Sequence, residues 1–345
     1  MITTDKNSLQ NYTFIDLFAG IGGFHLALES MGANCVFASE WDKSASETYE
    51  QNFHFKPFGD ITKINEKDIP KHDILCGGFP CQAFSISGKQ KGFEDTRGTL
   101  FFDIARIVDY HKPKVLFLEN VKNLTKHDDG KTLKIIIKTL EQLEYSVNTK
   151  ILNSSNFGLP QNRERVYFVA FHNSLNSKTF KFPIPPNNAV CIENILENEP
   201  INAKVIERND IEIYKNYSVT NSLFSEIELL NKPIQIGKVN KGGQGERIYH
   251  PLGHAITLSA YGGGVGSKTG LYLVNGKIRK LSPRECARVQ GFPDDFILNS
   301  SDIQSYKQFG NSVSVNVLQH ILIEISKVLK LNEVQNINTT KLEYA

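Results

Sequence analysis

The chain has 345 residues, a net charge of +2 and 22% charged residues, which is typical of a globular protein long enough for two domains. The first ten residues lack a secretory apolar core, and no stretch approaches the roughly 18 apolar residues of a membrane span. These features predict a cytoplasmic protein. Five cysteines at irregular spacings disfavour a disulfide framework and a zinc site, so we expect no metal.

The first half of the chain alternates between two kinds of pattern. Short apolar runs predict strands, and amphipathic runs predict helices: strands at 12–18, 34–39, 73–76, 115–118 and 165–171, and helices at 24–31, 99–110 and 133–143. This alternation predicts an α/β fold in which helices cover a parallel sheet.

The pattern changes after residue 181, where prolines indicate a linker. Residues 190–231 hold eight acidic and three basic side chains, whereas 232–280 hold eight basic and one acidic. The basic part is Gly-rich, with short β-type runs at 255–258 and 270–274. It predicts a small second domain that could track phosphates, although a solvated surface with chance clustering is the alternative.

Helical patterns resume at residue 282, and 314–329 is an amphipathic helix that we expect to pack back on the first domain. The predicted division is therefore a first domain at 1–189, a small domain at 190–281, a return segment at 282–330 and a polar tail at 331–345. We expect the tail to be loose from residue 332 onward.

A glycine-rich turn follows the first predicted strand. Gly20, Gly22 and Gly23 allow a tight turn and a close approach of the backbone to a ligand. A dinucleotide-binding dehydrogenase is the obvious competitor, but its pattern needs a third glycine where this chain has His25. The turn alone is a weak indication of a nucleotide site.

The second strand adds specificity to this turn. It ends at Glu40, which lies 20 residues after Gly20, where an acidic side chain can accept hydrogen bonds from ribose hydroxyls. Trp41 offers a flat face for stacking on adenine. Asp60 follows a probable third strand and could accept from the adenine amino group. An exposed glutamate and a half-buried tryptophan are the ordinary alternative.

Reactive groups are expected where strands end. The predicted strand at 73–76 runs through two glycines into a loop that holds Cys81, a position where α/β enzymes carry reactive side chains. Cys76 lies inside the apolar strand and is interpreted as a packing residue. Glu119 ends another apolar strand. Arg163 and Arg165 enter a strand at i and i+2, so they should share one face and could bracket a polar substrate or form surface ion pairs.

Taken together, these blocks resemble the cytosine-5 DNA methyltransferase family. They cover nearly the whole chain in the family's order: Phe18-Ala19-Gly20-Ile21-Gly22-Gly23, Gly78-Phe79-Pro80-Cys81, Glu119-Asn120-Val121, Gln161-Asn162-Arg163-Glu164-Arg165 and Gly310-Asn311-Ser312-Val313. Residues 88–108 and 242–249 resemble the family's GCGC-specific modification enzyme, whereas 172–235 resemble it less.

The resemblance implies a Rossmann-like, S-adenosylmethionine-dependent methyltransferase sheet with a smaller Gly-rich, mostly β target-recognition domain. It implies transfer of a methyl group to C5 of a cytosine flipped out of duplex DNA, at GCGC, with S-adenosylhomocysteine as product and no metal. A bacterial, cytoplasmic monomer that acts as the modification partner of a separate restriction endonuclease is the expected context.

The resemblance also implies residue roles. Cys81 resembles the nucleophile, Glu119 the group that binds N3 and the amino group, and Arg165, with Arg163 beside it, the contact to O2. The implied cofactor residues are Phe18, Gly20, Ile21, Gly23, Glu40, Trp41, Asp60, Ile61, Gly78, Pro80, Leu100, Asn311 and Ser312. The implied DNA contacts are Ser87, Lys89, Gln244, Glu246, Arg247, Thr257 and Tyr261.

Two other functions remain open at this point. One is methylation of a cytosine in tRNA by a member of the same superfamily, against which the DNA-reading pattern of 242–249 argues. The other is a DNA-binding regulator without activity, against which the presence of Cys81, Glu119 and Arg165 argues.

Overall fold

The computed structural model describes residues 7–80, 100–186, 188, 190–214 and 232–343, with side chains in the last helix described through residue 335. The predicted site residues Cys81, Ser87 and Lys89 lie outside the described residues. Six strands form the larger sheet in the order β2-β1-β3-β4-β6-β5: Thr13–Leu17 (β1), Asn34–Ser39 (β2), Ile74–Gly78 (β3), Val115–Val121 (β4), Tyr145–Asn153 (β5) and Glu164–His172 (β6).

The direction of the strands corrects one prediction. β1 to β4 run parallel, as the alternating pattern predicts, but β6 runs antiparallel to both β4 and β5. β5 was not among the predicted strands. The sheet is therefore mixed, and the expectation of an all-parallel sheet is wrong for β6, which alone among the six strands runs in the opposite direction.

Seven α-helices accompany the strands in the described residues: Gly23–Glu29 (α1), Lys43–Phe53 (α2), Leu100–His111 (α3), Lys131–Gln142 (α4), Pro283–Gln290 (α5), Asp302–Asn311 (α6) and Val315–Glu343 (α7). Short 3-10 turns connect several elements: Ile61–Lys63, Glu66–Asp68, Lys122–Gly130, Ser154–Phe157 and Ile192–Ile195.

Both faces of the larger sheet are covered, because successive strand residues point to opposite sides. Phe14 and Phe117 join a core with the apolar faces of α1 and α7, while Ile15 and Leu116 join a second core with α3 and α4. Cys76 is fully buried in the first core, as predicted for a packing residue. Burial of each large side chain contributes about 1.5–3 kcal/mol, which holds the carboxyl ends of β1 to β4 along one edge.

A smaller five-stranded sheet has the order β11-β10-β9-β8-β7: Glu212–Ile213 (β7), Gln235–Lys238 (β8), Arg247–Tyr249 (β9), Leu271–Val274 (β10) and Lys277–Arg279 (β11). It has its own apolar core, which includes Ile236 and Ile248. The hairpin between β10 and β11 turns at Asn275 and Gly276, whose φ angles of 49° and 75° suit the tight turn that joins two antiparallel strands.

Two local predictions of strands are wrong. The run at 255–258 forms no strand, and only Ala255 makes an isolated bridge, to Gln161. No strand precedes Asp60 either; Phe58 makes a single parallel bridge to Ser39 at the end of β2. That bridge still brings Asp60 close to the tip of β2, where the pocket was predicted.

Helix α5 illustrates how sequence fixes a boundary. The Ser282 hydroxyl accepts from the Glu285 N–H at 3.1 Å, the Glu285 carboxylate accepts from the Ser282 N–H at 2.8 Å, and Pro283 occupies the first turn. Glu285 also forms a buried two-pronged ion pair with Arg279 of β11, at 2.7 and 2.8 Å. The smaller sheet is thus anchored to the helices that follow it.

The last helix packs against α1, which confirms the predicted return to the larger sheet. It continues through Glu343, so the expectation of a loose tail is wrong for most of that segment. By length and hydropathy, Asp302–Gln335 could span a membrane, which the sequence analysis did not anticipate. However, 67% of its most apolar window is buried within the protein, as in a core helix.

Candidate active site

The centre of the site is an ion pair at the carboxyl edge of the larger sheet. Glu119 lies in β4 opposite Gly78 of β3, and its Oε1 is 3.1 Å from Nε of Arg165 on the antiparallel strand β6. Both side chains are mostly buried, with Glu119 only 7% exposed. The structure thus brings together two of the residues predicted to act on a base.

Burial raises the pKa of the Glu119 carboxyl, and the nearby charges of Arg165 and Arg163 act in the opposite direction without cancelling the effect. A carboxyl with a raised pKa retains its proton closer to neutral pH. At a given pH, the protonated form of Glu119, which can donate a hydrogen bond to a ring nitrogen, is therefore more populated than it would be for a surface glutamate.

Asn120 fixes the backbone that leads toward Cys81. Its Nδ2 donates to the Phe79 carbonyl at 2.8 Å, and its Oδ1 accepts from the N–H of Val121 at 2.8 Å. Phe79 is itself buried, so the end of β3 is fixed up to Pro80, the residue before Cys81. The sequence analysis gave Asn120 no role. Its position next to Glu119 at a strand end was the only available signal.

Arg163 makes different contacts from Arg165. It precedes β6, and its guanidinium donates to the carbonyls of Leu258 at 3.1 Å, Gly310 at 3.2 Å and Ser312 at 2.6 Å. Because Arg163 lies outside the strand, the alternation of side chains along β6 does not set its direction, and the expectation that it shares one face with Arg165 is wrong. Among the described contacts, only Arg165 forms the ion pair with Glu119.

The glycine-rich turn meets the tip of β2 through Glu40. One Glu40 carboxylate oxygen accepts from the Gly20 N–H at 2.7 Å, and the other accepts from the Asp42 N–H at 2.7 Å. Burial raises the pKa of Glu40, and these two backbone donors oppose that rise. Each oxygen keeps a second lone pair, so Glu40 can still accept from ligand hydroxyls.

Two flanking groups complete this end of the pocket. Trp41 is 82% exposed beside the buried Glu40, which leaves its ring available for stacking. The Asp60 Oδ1 accepts from the N–H of Thr62 at 3.1 Å and from its hydroxyl at 2.8 Å, while Ile61 is buried beneath. Asp60 thus caps a 3-10 turn, which fixes its carboxylate relative to Trp41.

Open space lies beside the glycine-rich turn and beside Asp60. A Cβ added at Gly20 or at Gly59 would meet no atom within 4 Å. Phe18 and Gly20 have φ angles of 55° and 56°, the left-handed region that a sharp turn uses. We call this open space, which is bordered by Gly20, Glu40, Gly59 and Asp60, the cradle.

The segment at 310–313 closes the opposite side. A Cβ added at Gly23 would lie 2.5 Å from Cγ2 of Val313 and 3.3 Å from the Ser312 hydroxyl, and one at Gly78 would lie 3.7 Å from Cγ1 of Val313. Asn311 is exposed beside them. Two further predicted residues flank this region: Leu100 is half-buried at the start of α3, and Pro80 is exposed at the end of β3.

The two glycine-rich segments predicted to read DNA lie against each other. The N–H of Gly266 donates to the Gly245 carbonyl at 2.7 Å, and a Cβ at Gly245 would collide with the Gly263 carbonyl oxygen. Tyr261 is 76% exposed. Gln244 and Arg247 are also exposed, so a single surface gathers side chains from both segments.

Three of the predicted DNA contacts already make hydrogen bonds within the protein: Nε of Arg247 donates to the Gly242 carbonyl at 3.4 Å, and Glu246 and Thr257 form shorter bonds. The Glu246 carboxylate accepts from Asn240 Nδ2 at 2.8 Å and from the Gly243 N–H at 2.9 Å, and these bonds lower its pKa. The Thr257 hydroxyl donates to the Asn162 carbonyl at 2.6 Å. Glu246 and Thr257 therefore hold the conformation of their loops through these bonds, in addition to any contact with DNA.

Comparison with known proteins gives the same assignment. The model of the C-5 cytosine-specific DNA methylase family matches residues 12–327. The chain is 57% identical over 331 residues to the Type II methyltransferase M.HhaI of Haemophilus parahaemolyticus, covering 95% of this chain and 98% of that protein. It is 45% identical to M.HpaII of Haemophilus parainfluenzae, over 92% and 89% of the two chains.

A solved structure agrees on the fold. The S. pombe Dnmt2 methyltransferase superposes with a TM-score of 0.65 over 93% of this chain and 99% of that chain, at 22% identity, which is a likeness of fold alone. The family rests on the sequence matches, which span both sheets and every described site residue. The chain belongs to the C-5 cytosine-specific DNA methylase family and is a DNA (cytosine-5)-methyltransferase.

Proposed function

We propose that this enzyme transfers a methyl group from S-adenosylmethionine to C5 of a cytosine flipped out of duplex DNA, at GCGC, as the modification partner of a restriction system. The observation that carries the proposal is the buried Glu119–Arg165 pair beside the end of β3, from which the chain continues to Cys81. A carboxyl and a cation lie side by side there, and the proposed nucleophile follows three residues after Gly78 in the sequence, so all three could act on one planar base.

The reaction needs these groups because C5 of cytosine is a weak nucleophile. The Cys81 thiolate adds to C6, Glu119 donates a hydrogen bond to N3 as the ring accepts electron density, and Arg165 contacts O2. The resulting enamine would take the methyl group at C5, the bond between sulfur and methyl would break, and S-adenosylhomocysteine would leave. Loss of the C5 proton and departure of the Cys81 sulfur restore the aromatic ring, so the enzyme is regenerated.

The cofactor supplies an electrophilic methyl group, and the open cradle fits it. Glu40 and Asp60 would accept from its ribose and adenine, Trp41 would stack on the ring, and the segment at 310–313 would cover the methionine part. Residues at the carboxyl edge of a parallel sheet commonly hold nucleotides in this way.

The smaller sheet and its loops, within residues 190–281, are the proposed target-recognition domain. Arg247 would read guanine through two hydrogen bonds, with Gln244 and Tyr261 beside it. Glu246 would act partly by shaping the loop, because its oxygens already accept from Asn240 and Gly243. Ser87 and Gln244 would fill the gap that the extruded base leaves in the stack, and Lys89 would contact phosphate. The extrusion itself costs a few kcal/mol.

The competing proposal, methylation of tRNA, has less support. The relatives that share 45% identity or more over most of the chain are Type II methyltransferases, and the exposed Arg247 surface suits a major groove. An assay with duplex DNA and tRNA in parallel separates the two substrates.

The test is methylation mapping. A plasmid from a strain that expresses the enzyme should resist an endonuclease blocked by GCGC methylation, and bisulfite sequencing should find the first cytosine of each GCGC modified. A Cys81→Ser strain serves as the matched control and should remain sensitive. Modification at GGCC or CCGG would refute the proposed site, and modification of tRNA alone would refute the proposed substrate.

A further inference from the structure

We propose that Arg163 is a positioning residue that locks the cofactor segment, residues 310–313, onto the recognition segment, residues 257–261, rather than a contact to the target base. The inference rests on the proposed function of these two segments. It assigns to Arg163 a role that differs from that of Arg165, although the two arginines are only two positions apart.

The contacts of Arg163 come from both segments at once. One terminal nitrogen donates to the Leu258 carbonyl, and the other donates to the Gly310 and Ser312 carbonyls, at 3.1, 3.2 and 2.6 Å respectively. The side chain is only 3% exposed. A planar guanidinium presents donors in a fixed fork, so it sets the relative position of these carbonyls more strictly than an ammonium could.

The cofactor segment packs against the recognition segment on one side and against the glycine-rich turn on the other. A Cβ at Gly310 would lie 2.6 Å from the Ser259 carbonyl oxygen and would collide with the Ala260 nitrogen. Three residues later, Val313 lies against Gly23 of the glycine-rich turn. A shift of the recognition segment must therefore move the wall of the cofactor cradle.

The geometry leaves little of Arg163 for a substrate. Both terminal nitrogens point to backbone carbonyls, and Nε is buried without a hydrogen-bond partner. Burial lowers the pKa of Arg163 to about 9, so the charge is poorly solvated and depends on those carbonyls. If either segment moves away, the buried charge loses some of its acceptors, so the loss of contact with one segment raises the free energy of the whole linked arrangement.

The test compares Arg163→Met and Arg163→Lys with a matched control. Arg284 also donates to two backbone carbonyls, of Pro293 at 3.2 Å and Phe296 at 2.9 Å, but both carbonyls belong to one loop that is part of neither segment. Arg284→Met removes comparable hydrogen bonds without unlinking the two segments. Thermal unfolding of every variant reports general loss of stability.

The readout is calorimetric binding of S-adenosylhomocysteine, with and without a GCGC duplex. We expect Arg163→Met to weaken binding about tenfold without DNA, and Arg163→Lys to restore part of the loss. The ratio of the affinities with and without DNA should differ from one in the wild type and move toward one in Arg163→Met. Arg284→Met should change neither quantity.

A second variant approaches the lock from the other side. Gly310→Ala forces the cofactor segment away from Ser259 and should weaken S-adenosylhomocysteine binding similarly, with less than additive effects when combined with Arg163→Met. Unchanged binding without DNA in Arg163→Met, equal losses in Arg284→Met, or a wild-type ratio of one would overturn the inference. A wild type that binds no S-adenosylhomocysteine would overturn the proposed function as well.

Discussion

Two glutamates show how the candidate active site at the sheet edge differs from the recognition loops. At the sheet edge, Glu119 is buried against Arg165, and burial raises its pKa. In the recognition loops, Glu246 faces solvent, and hydrogen bonds from Asn240 and Gly243 lower its pKa. The same type of side chain thus has a raised pKa at the sheet edge and a lowered pKa in the recognition loops.

The difference follows from what each of these two regions must do. Chemistry on a base needs donors fixed in a dry pocket, where electrostatic interactions are strong and cost no reorganisation during reaction. Reading a groove needs exposed donors on a close-packed backbone, since glycines such as Gly245 let the two loops approach without side chains between them. Variants at the sheet edge should therefore affect rate, and those in the recognition loops should affect sequence choice.

The largest effect should come from Cys81→Ser. An alcohol is a far weaker nucleophile than a thiolate near neutral pH, so turnover should fall by roughly 10³-fold or more while cofactor and DNA binding persist. A duplex that carries 5-fluorocytosine at the target should trap the wild type covalently, because fluorine cannot leave as a proton. Peptide mapping checks the site, and an adduct on the buried Cys76 would contradict the assignment.

Glu119→Gln should have the next largest effect. The amide keeps the size of the side chain but cannot transfer a proton, so the single-turnover rate should fall by roughly 10²–10⁴-fold. Because the wild-type pKa is raised and the protonated form is the active one, the wild-type rate should decline as pH rises through that pKa. The variant should lack this decline, and an unchanged pH profile would exclude Glu119 as the titrating group.

The sequence predicts those parts of the fold and of the site that depend on residues close together along the chain. The strands β1, β3 and β4 were predicted because their apolar runs are buried on both faces. Glu119 and Cys81 became candidates because they follow predicted strands, but their roles came from the resemblance to the cytosine-5 DNA methyltransferase family. The edge strand β5 was missed, since Tyr145–Asn153 is largely polar and becomes a strand by pairing with β6.

Other features depend on contacts that are remote in sequence. No local pattern shows that Arg163 reaches carbonyls about 95 and 150 residues away, because its neighbours are set by how the return segment packs. The antiparallel direction of β6 was similarly hidden, although the lack of a predicted helix between residues 145 and 164 disfavoured a parallel crossover. Asn275-Gly276 was a readable hairpin signal that the analysis did not use.

A smaller effect, confined to sequence choice, is expected from Arg247→Ala. Loss of a two-pronged guanine contact should cost about 1–3 kcal/mol of discrimination at that base pair, while the rate at saturating GCGC duplex changes little. Lys89→Ala is the control: a phosphate contact should weaken binding to all duplexes alike and flatten the salt dependence. Competition assays over a set of single-base variants measure both, and equal losses on every duplex in Arg247→Ala would remove it from the reading surface.

The last prediction concerns stability alone. It compares another carboxyl whose pKa is raised by burial, that of Asp16 in β1, with one whose pKa is lowered by its bonds. The Asp16 Oδ2 is buried without a hydrogen-bond partner, and burial raises its pKa to about 8. The facing titratable groups are Cys76, His25, Tyr49, Cys35 and Glu40.

Because the folded state keeps a proton that the unfolded chain releases above about pH 4, this group's contribution to stability is complete at low pH and is lost as pH rises toward 8. Asn cannot ionise, so Asp16→Asn should stabilise the fold at pH 8, and the difference from the wild type should shrink steadily toward pH 4. Asp73→Asn should change the free energy of unfolding in the opposite direction. Burial would raise the pKa of Asp73, but bonds from Thr13 and Lys114 lower it overall, so this variant should lose stability near neutral pH and match the wild type in acid. Unfolding curves from about pH 2 to pH 8 measure both differences, because the contribution of Asp73 is lost only below its usual pKa. A pH-independent effect of Asp16→Asn would show that Asp16 is ionised in the folded protein.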